Sequence, residues 1–174
     1  MSTRKTSVRY LTECGVIAAL YLALTLFFQA ISFDLWQMRV AEALTLLPIF
    51  TPAAIPGVVI GCFISNAVGP YGMLDAVIGS SATLIAALLT RSLRNVRIFK
   101  LPIPASLPPV IANMVIIGVY LTLVNTGSLA PPVLIANMLS VGLGQFVACC
   151  VLGLALVFAL EKSKAAKHIF SQKS

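Results

Sequence analysis

Long apolar runs, separated by short polar segments, dominate the chain. Apolar runs of about 20 residues are long enough to cross a ~30 Å hydrocarbon core as helices. The pattern predicts helices over residues 8–30, 74–93, 105–125 and 133–160. Between the first two of these, the apolar residues 41–67 suffice either for one helix or for two short ones.

The distribution of basic residues indicates whether residues 41–67 form one helix or two. Eleven of the twelve Lys and Arg residues lie in the N-terminal segment, in residues 91–100 or in the tail from residue 162. The positive-inside rule places all three segments in the cytoplasm, which requires an even number of crossings between them. Pro48, Pro52 and Pro56 interrupt the ambiguous stretch, so two short elements are predicted, over 40–50 and 53–67.

The chain is therefore predicted to be a single all-α membrane domain over residues 1–174, a compact bundle of six transmembrane helices with both termini cytoplasmic. Residues 161–174 form a basic tail. Composition agrees, because only 10% of the 174 residues are charged, against about 25% in a soluble domain. The net charge of +7 indicates membrane topology rather than a nucleic-acid partner.

Catalytic and metal-binding motifs are not apparent. The four cysteines form no CxxC pair and lie in apolar surroundings, and the single histidine, His168, lies in the basic tail. A phosphate-binding GxxxxGK[ST] loop is missing, so the chain is not expected to hydrolyse ATP itself. No enzyme activity, cofactor or metal is expected.

Polar side chains concentrate at the predicted outer ends of several helices. There, Asp34, Glu42 and Asp75 oppose a single cation, Arg39. An ionisable pair at membrane depth is costly and points to function. The predicted site combines charged, amide and aromatic side chains from different helices: Glu42, Arg39, Asp75, Asn113, Asn137, Trp36, Tyr71 and Asn66.

Each of these side chains also has a purely structural interpretation. Arg39 and Glu42 are three residues apart, so they either pair with each other or contact a ligand. The aromatic residues fit interfacial anchors, the asparagines fit interhelical hydrogen bonds, and Asp75 fits a helix N-terminus. What favours a site is that several of them fall at one depth.

One face of the first helix carries Gly15, Ala19 and Ala23, spaced by four residues. Small residues at this spacing let a second helix approach closely. The partner is either another helix of this bundle or another protein.

Four segments of the chain resemble the QueT family. They are QMRVAEALTLLP at 37–48, FTPAAIPG at 50–57, GSSATLIA at 79–86 and PPVIAN at 108–113. The similarity extends from about residue 12 to residue 160. It implies a substrate-binding S component of an energy-coupling factor transporter in a prokaryotic plasma membrane, with six helices and a pocket open to the outside. Ala19 and Ala23 match the AxxxA pattern by which such subunits dock on a transmembrane coupling subunit, which two ATP-binding cassette subunits complete.

The resemblance also implies a substrate, a 7-deazaguanine base such as preQ1 or preQ0, or queuine. Glu42 is expected to accept hydrogen bonds from the base's N1–H and exocyclic amine. Arg39, Asn113 or Asn137 would donate to O6, and Asp75 or Asp34 would stabilise a cationic arm. Trp36 and Tyr71 would flank the ring. The alternatives are a self-sufficient oligomeric facilitator and a small intramembrane enzyme.

Overall fold

The computed structural model describes residues 2–28 and 38–163, and within these ranges the fold is built from helices without a β-strand. Six helices follow one another, as predicted. Their bounds are α1 Ser2–Phe27, α2 Val40–Ile49, α3 Ala54–Val68, α4 Gly72–Ser92, α5 Ile103–Thr126 and α6 Pro131–Lys162.

Four of the helices are long and apolar enough to cross a membrane: Val8–Phe27 within α1, and all of α4, α5 and α6. The other two, α2 and α3, have only 10 and 15 residues. The sequence predicts six crossings, whereas length and composition establish four helices capable of spanning. Because α2 and α3 are too short for a ~30 Å core as straight helices, they depend on protein around them.

The second helix is wound as a 3-10 helix over its whole length. All residues from Ala41 to Ile49 are buried, which is consistent with an element enclosed by the rest of the bundle. At ~2.0 Å per residue its ten residues reach about 20 Å, further than an α-helix of equal length. The Thr45 hydroxyl donates to the Glu42 carbonyl at 2.6 Å and so supports the tight turn around Glu42.

Close packing of α3 on α1 depends on two glycines. A Cβ at Gly61 would lie 2.6 Å from Cβ of Tyr21, and one at Gly57 would lie 3.0 Å from the Cys14 carbonyl oxygen. The inner face of α1 is therefore pressed against α3 backbone, with Tyr21 fully buried. Residues of α2, such as Leu44, complete this core.

Polar contacts join several helix ends at one end of the bundle. The Glu13 carboxylate accepts hydrogen bonds from Arg9 of α1 at 2.9 Å and from Thr51, in the turn between α2 and α3, at 2.8 Å. Arg91, in the last turn of α4, donates to the Pro48 carbonyl oxygen at 2.7 Å. Arg9 and Arg91, from two of the basic segments, are thus both linked to the end of α2 and the turn that follows it.

An ion pair at the bundle surface ties the loop after α4 to the end of α6. The two guanidinium nitrogens of Arg97 bind the two carboxylate oxygens of Glu161 at 3.1 and 2.6 Å. The hydrogen bonds that Arg97 donates to the Glu161 carboxylate raise the pKa of Arg97. All three basic segments therefore have members at connected helix ends, as a shared side of the membrane requires. Which side that is stays a prediction.

Candidate substrate-binding site

Glu42 lies in the first turn of α2 and is 1% exposed. Its Oε1 accepts a hydrogen bond from the Tyr21 hydroxyl of α1 at 2.5 Å. Its Oε2 is buried and has no hydrogen-bond partner among the described residues. Because a buried carboxylate oxygen without a partner is costly, the arrangement is one that a donor from a ligand would stabilise.

Arg39 precedes α2 and connects α3 to α4. Its Nη1 donates to Asn66 Oδ1 at 2.7 Å, and its Nη2 lies 3.5 Å from Asp75 Oδ2. Asn66 in turn donates from Nδ2 to the Asp75 carbonyl oxygen at 3.2 Å. Gly79 allows this approach, since a Cβ there would collide with the Asn66 amide. Three predicted site residues thus form one buried network.

The sequence leaves open whether Arg39 and Glu42 pair with each other, and the observed hydrogen bonds lead away from such a pair. The guanidinium contacts Asn66 and Asp75, whereas the carboxylate contacts Tyr21. Glu42 and Arg39 still attract each other electrostatically. The buried group contains one cation and two carboxyl groups, so it suits a neutral or cationic ligand better than an anion.

Asn113 lies on α5, is 3% exposed, and its Nδ2 has no partner among the described residues. A hydrogen bond of 2.9 Å from Thr90 Oγ1 to the Ala105 carbonyl oxygen sets the antiparallel register of α4 and α5. That register places Asn113 beside Ala82, about 10 Å further along α4 than Asp75. Glu42 likewise lies about 6 Å further along α2 than Arg39. By these helix rises, the donor and the acceptor that lack a partner among the described residues lie within about 4 Å of each other in depth.

The remaining predicted site residues have mixed positions. Asn137 of α6 donates to Thr122 Oγ1 of α5 at 2.9 Å, which is an interhelical hydrogen bond. Tyr71, just before α4, is half-buried and packs against a cluster that includes Tyr120. Trp36, like Asp34, lies outside the described residues.

Two residues that contact Glu42, Tyr21 and Cys149, are missing from the predicted site, as is Gln145, which contacts Cys149. Cys149 Sγ contacts the Glu42 carbonyl oxygen at 3.5 Å and Gln145 Oε1 at 3.6 Å. Cys149 lies in a π-helical segment, Phe146–Gly153, within α6, and such segments are frequent at functional sites. The available signal was Tyr21 itself, since a tyrosine hydroxyl at mid-helix needs a buried partner. The described residues contain no metal-binding group of three or more His, Cys, Asp or Glu side chains.

The small-residue face of α1 points away from the bundle. Gly15, Ala19 and Ala23 are exposed, and a Cβ built at Gly15 meets nothing within 4 Å. Tyr21, which contacts Glu42, lies on the buried side of the same helix. Within the described part of the chain, this face is therefore not used for internal packing.

Comparison with known protein families gives a match over most of the chain. The model of the QueT transporter family matches residues 11–162. This chain belongs to the QueT transporter family. The family resemblance inferred from the sequence segments is thereby confirmed, and four of the described helices are long and apolar enough to cross a bilayer.

A curated relative in the QueT family is the queuosine precursor transporter QueT of Lactococcus lactis subsp. cremoris (strain MG1363). It is 33% identical over 84 residues, which cover 47% of this chain and 49% of the relative. The alignment thus spans about half the length of that relative. No solved structure matched the chain.

Proposed function

We propose that this chain is the substrate-specificity subunit of an energy-coupling factor importer in a prokaryotic plasma membrane. It binds a 7-deazaguanine queuosine precursor in a pocket that opens to the outside. Family membership supports this proposal, as does the name of the relative. The observation that carries it is the buried Oε2 of Glu42, which has no partner among the described residues.

The chemistry of the base suits that carboxylate. A 7-deazaguanine presents N1–H and an exocyclic amine side by side, and a carboxylate accepts both in a bidentate contact. No described residue bonds to Oε2, which can accept from one of these donors, and Oε1 keeps a second lone pair beside the one that Tyr21 uses. The bound base would therefore supply Oε2 with the hydrogen bond that no described residue provides.

The base also offers an acceptor, O6, next to its donor edge. Among the three candidate donors, Asn113 is the one we favour, because its Nδ2 has no described partner. Arg39 already donates to Asn66 and Asp75, and Asn137 already donates to Thr122. An unpaired acceptor and an unpaired donor at similar depth complement a ring edge that carries both kinds of group.

Other contacts extend the proposed site toward the outer end of the bundle. Asp75, buried beside Arg39, would stabilise a cationic aminomethyl arm. Tyr71 would lie along the ring, and Trp36 is proposed for the opposite face of the slot. Asn66 would act indirectly, by holding Arg39 and the start of α4 in place.

ATP hydrolysis is assigned to partner subunits, since the chain contains no phosphate-binding loop. The exposed face of Gly15, Ala19 and Ala23 is the proposed contact with a transmembrane coupling subunit. Transport then proceeds by conformational change without a covalent step. A self-sufficient facilitator would instead take up the base without ATP or a coupling module, and an uptake assay with and without that module separates the two.

The decisive experiment is binding of a 7-deazaguanine base to the purified protein, with the bound ligand identified by mass spectrometry. Glu42→Gln keeps the shape of the side chain but turns one acceptor into a donor that faces the N–H groups of the base. We expect affinity to fall by about 30- to 1,000-fold, since the change costs about 2–4 kcal/mol. Near-normal binding by a folded Glu42→Gln protein would remove Glu42 from the site and make Asp75 the next candidate.

Glu13→Gln is the matched control. Glu13 is likewise a carboxylate that accepts hydrogen bonds, here from Arg9 and Thr51. It is partly buried and lies at the other end of the bundle. Its substitution should leave affinity unchanged. An equal loss in both variants would mean that the charge of the bundle, not a contact with Glu42, determines binding.

A further inference from the structure

Tyr21 is a fully buried tyrosine in the C-terminal half of α1, and its position is tightly restricted. A Cβ at Gly61 of α3 would lie 2.6 Å from Cβ of Tyr21 and 3.0 Å from its Cγ. The absence of a side chain at Gly61 is therefore what lets the Tyr21 ring lie against α3. The ring is held by its neighbours and not by its hydroxyl alone.

From this position the hydroxyl reaches a different helix. It donates to Oε1 of Glu42 at 2.5 Å, a charge-assisted hydrogen bond when the carboxyl group is ionised. A glutamate side chain has three rotatable bonds, and ordering it costs conformational entropy. Fixing one oxygen in advance removes much of that cost from ligand binding and determines where the other oxygen points.

We propose that Tyr21 is a positioning residue that sets the selectivity of the site for bases with two adjacent N–H donors. By holding Oε1, its hydroxyl fixes the plane of the Glu42 carboxylate so that Oε2 and the second lone pair of Oε1 face the ligand together. Without that hydrogen bond the Glu42 carboxylate rotates. It still accepts a hydrogen bond from a single N–H group, but the site loses its preference for a base edge with two adjacent N–H donors. This inference rests on the proposed function.

The test compares two ligands that differ in one donor, 7-deazaguanine and 7-deazahypoxanthine, which lacks the exocyclic amine. In the unsubstituted protein we expect 7-deazaguanine to bind more tightly. Tyr21→Phe keeps the ring and removes only the hydroxyl, so affinity for 7-deazaguanine should fall about tenfold or more. Affinity for 7-deazahypoxanthine should fall less, so the ratio of the two affinities shrinks. A merely structural tyrosine would lower both affinities equally.

A double-mutant cycle locates the effect at Glu42. In the Glu42→Gln background, Tyr21→Phe should change the affinity ratio by less than about twofold, because the two residues act through one contact. Gly61→Ala provides an independent route, since its Cβ meets Tyr21 Cβ and the Ala18 carbonyl oxygen and so shifts this part of α1, which moves the Tyr21 hydroxyl without removing it. It should reduce selectivity in the same direction, and it covers the case in which Tyr21→Phe fails to fold. Tyr10→Phe, at an exposed tyrosine of the same helix, should change nothing.

The outcomes separate this inference from the function on which it rests. If the unsubstituted protein binds neither base, the proposed function fails. If it binds 7-deazaguanine and the Tyr21→Phe and Gly61→Ala proteins keep the same affinity ratio, the site stands and the positioning role of Tyr21 is overturned.

Discussion

At the scale of single residues, the main feature is a buried cation that bridges two helices. Arg39 is 5% exposed and binds Asn66 and Asp75, which are 27 and 36 residues further along the chain. Charged residues are rare in this apolar chain, which predicts that Arg39 has a specific role. No local sequence pattern, however, identifies partners that lie 27 and 36 residues further along the chain. Spacing suggested Glu42 as the partner, whereas the hydrogen bonds of Glu42 and Arg39 lead to other helices.

Removal of Arg39 should therefore destabilise the protein through Asp75. Arg39→Met leaves the Asp75 carboxyl group buried without its cation, and the expected loss in unfolding free energy is about 3–5 kcal/mol. The double variant Arg39→Met/Asp75→Leu should recover most of this loss, because paired apolar replacements are tolerated. Arg39→Met/Glu42→Met should recover less. Thermal unfolding of the purified proteins in detergent measures all three.

Arg97→Met is the control for this series. Its ion pair with Glu161 is partly exposed, with 39% and 29% of the two side chains accessible, so the loss should be no more than about 1 kcal/mol. If Arg39→Met/Glu42→Met recovered more of the unfolding free energy than Arg39→Met/Asp75→Leu, Glu42 rather than Asp75 would be the energetic partner of Arg39.

At the scale of helices, much of the fold was predictable. Runs of apolar residues identified the long helices. Residues 41–67 sufficed for one helix or for two, and the requirement for an even number of crossings between the basic segments favoured two. The winding of those elements was not predictable. The 3-10 helix α2 packs on the π-helical segment of α6, where Thr45 meets Cys149 at 3.7 Å and Leu46 lies against Gly153. Local sequence alone does not specify either of these two windings, since the 3-10 helix and the π-helical segment pack on each other.

The buried polar residues were only partly predictable. Arg39, Asn66 and Asp75 stood out as polar residues in apolar surroundings, and they form one hydrogen-bonded network, whereas the Glu42 side chain bonds to Tyr21. That these residues bind a substrate stays a prediction. Tyr21 was missed because a tyrosine within an apolar helix fits an ordinary core position equally well. Its role becomes visible only when α1 is placed against α2, since the hydroxyl finds Glu42 across a separation of 21 residues.

Glycines on α1 and α3 should respond oppositely to the same substitution. Gly57 faces α1, where a Cβ would lie 3.0 Å from the Cys14 carbonyl oxygen and from Ile17, so Gly57→Ala should destabilise the protein by about 1–3 kcal/mol. Gly15 is exposed with open space around it, so Gly15→Ala should be neutral or stabilise by up to about 1 kcal/mol. Thermal unfolding of both variants checks this. Equal effects would contradict the packing of α3 on the inner face of α1.

At the scale of the whole molecule, the charges are arranged along one axis. At one end of the bundle, Arg9 and Arg91 make their polar contacts. The network of Arg39 and Asp75 lies toward the opposite end of the bundle. From this distribution, the positive-inside rule predicts that the end with Arg9 and Arg91 faces the cytoplasm.

Orientation is testable with an impermeant thiol reagent on intact cells, in a background without the native cysteines. Asn95→Cys lies in the exposed loop between α4 and α5, and we expect no labelling from outside because this loop carries the basic segment. Ser128→Cys, in the exposed turn between α5 and α6, should be labelled. Labelling at position 95 and protection at position 128 would invert the proposed topology.

Separate surfaces for substrate and partner give the last prediction. Ala19 is exposed on α1, whereas Tyr21 of the same helix is buried against Glu42. Ala19→Trp should therefore abolish ATP-driven uptake in cells that contain the coupling module, because its bulk prevents a close helix contact. Binding of the base to the isolated subunit should stay within about threefold of normal. Leu139→Trp, which places the same side chain at an exposed position of α6, should leave both measurements unchanged. Loss of binding together with transport in a folded Ala19→Trp protein would show that this face of α1 supports the site itself.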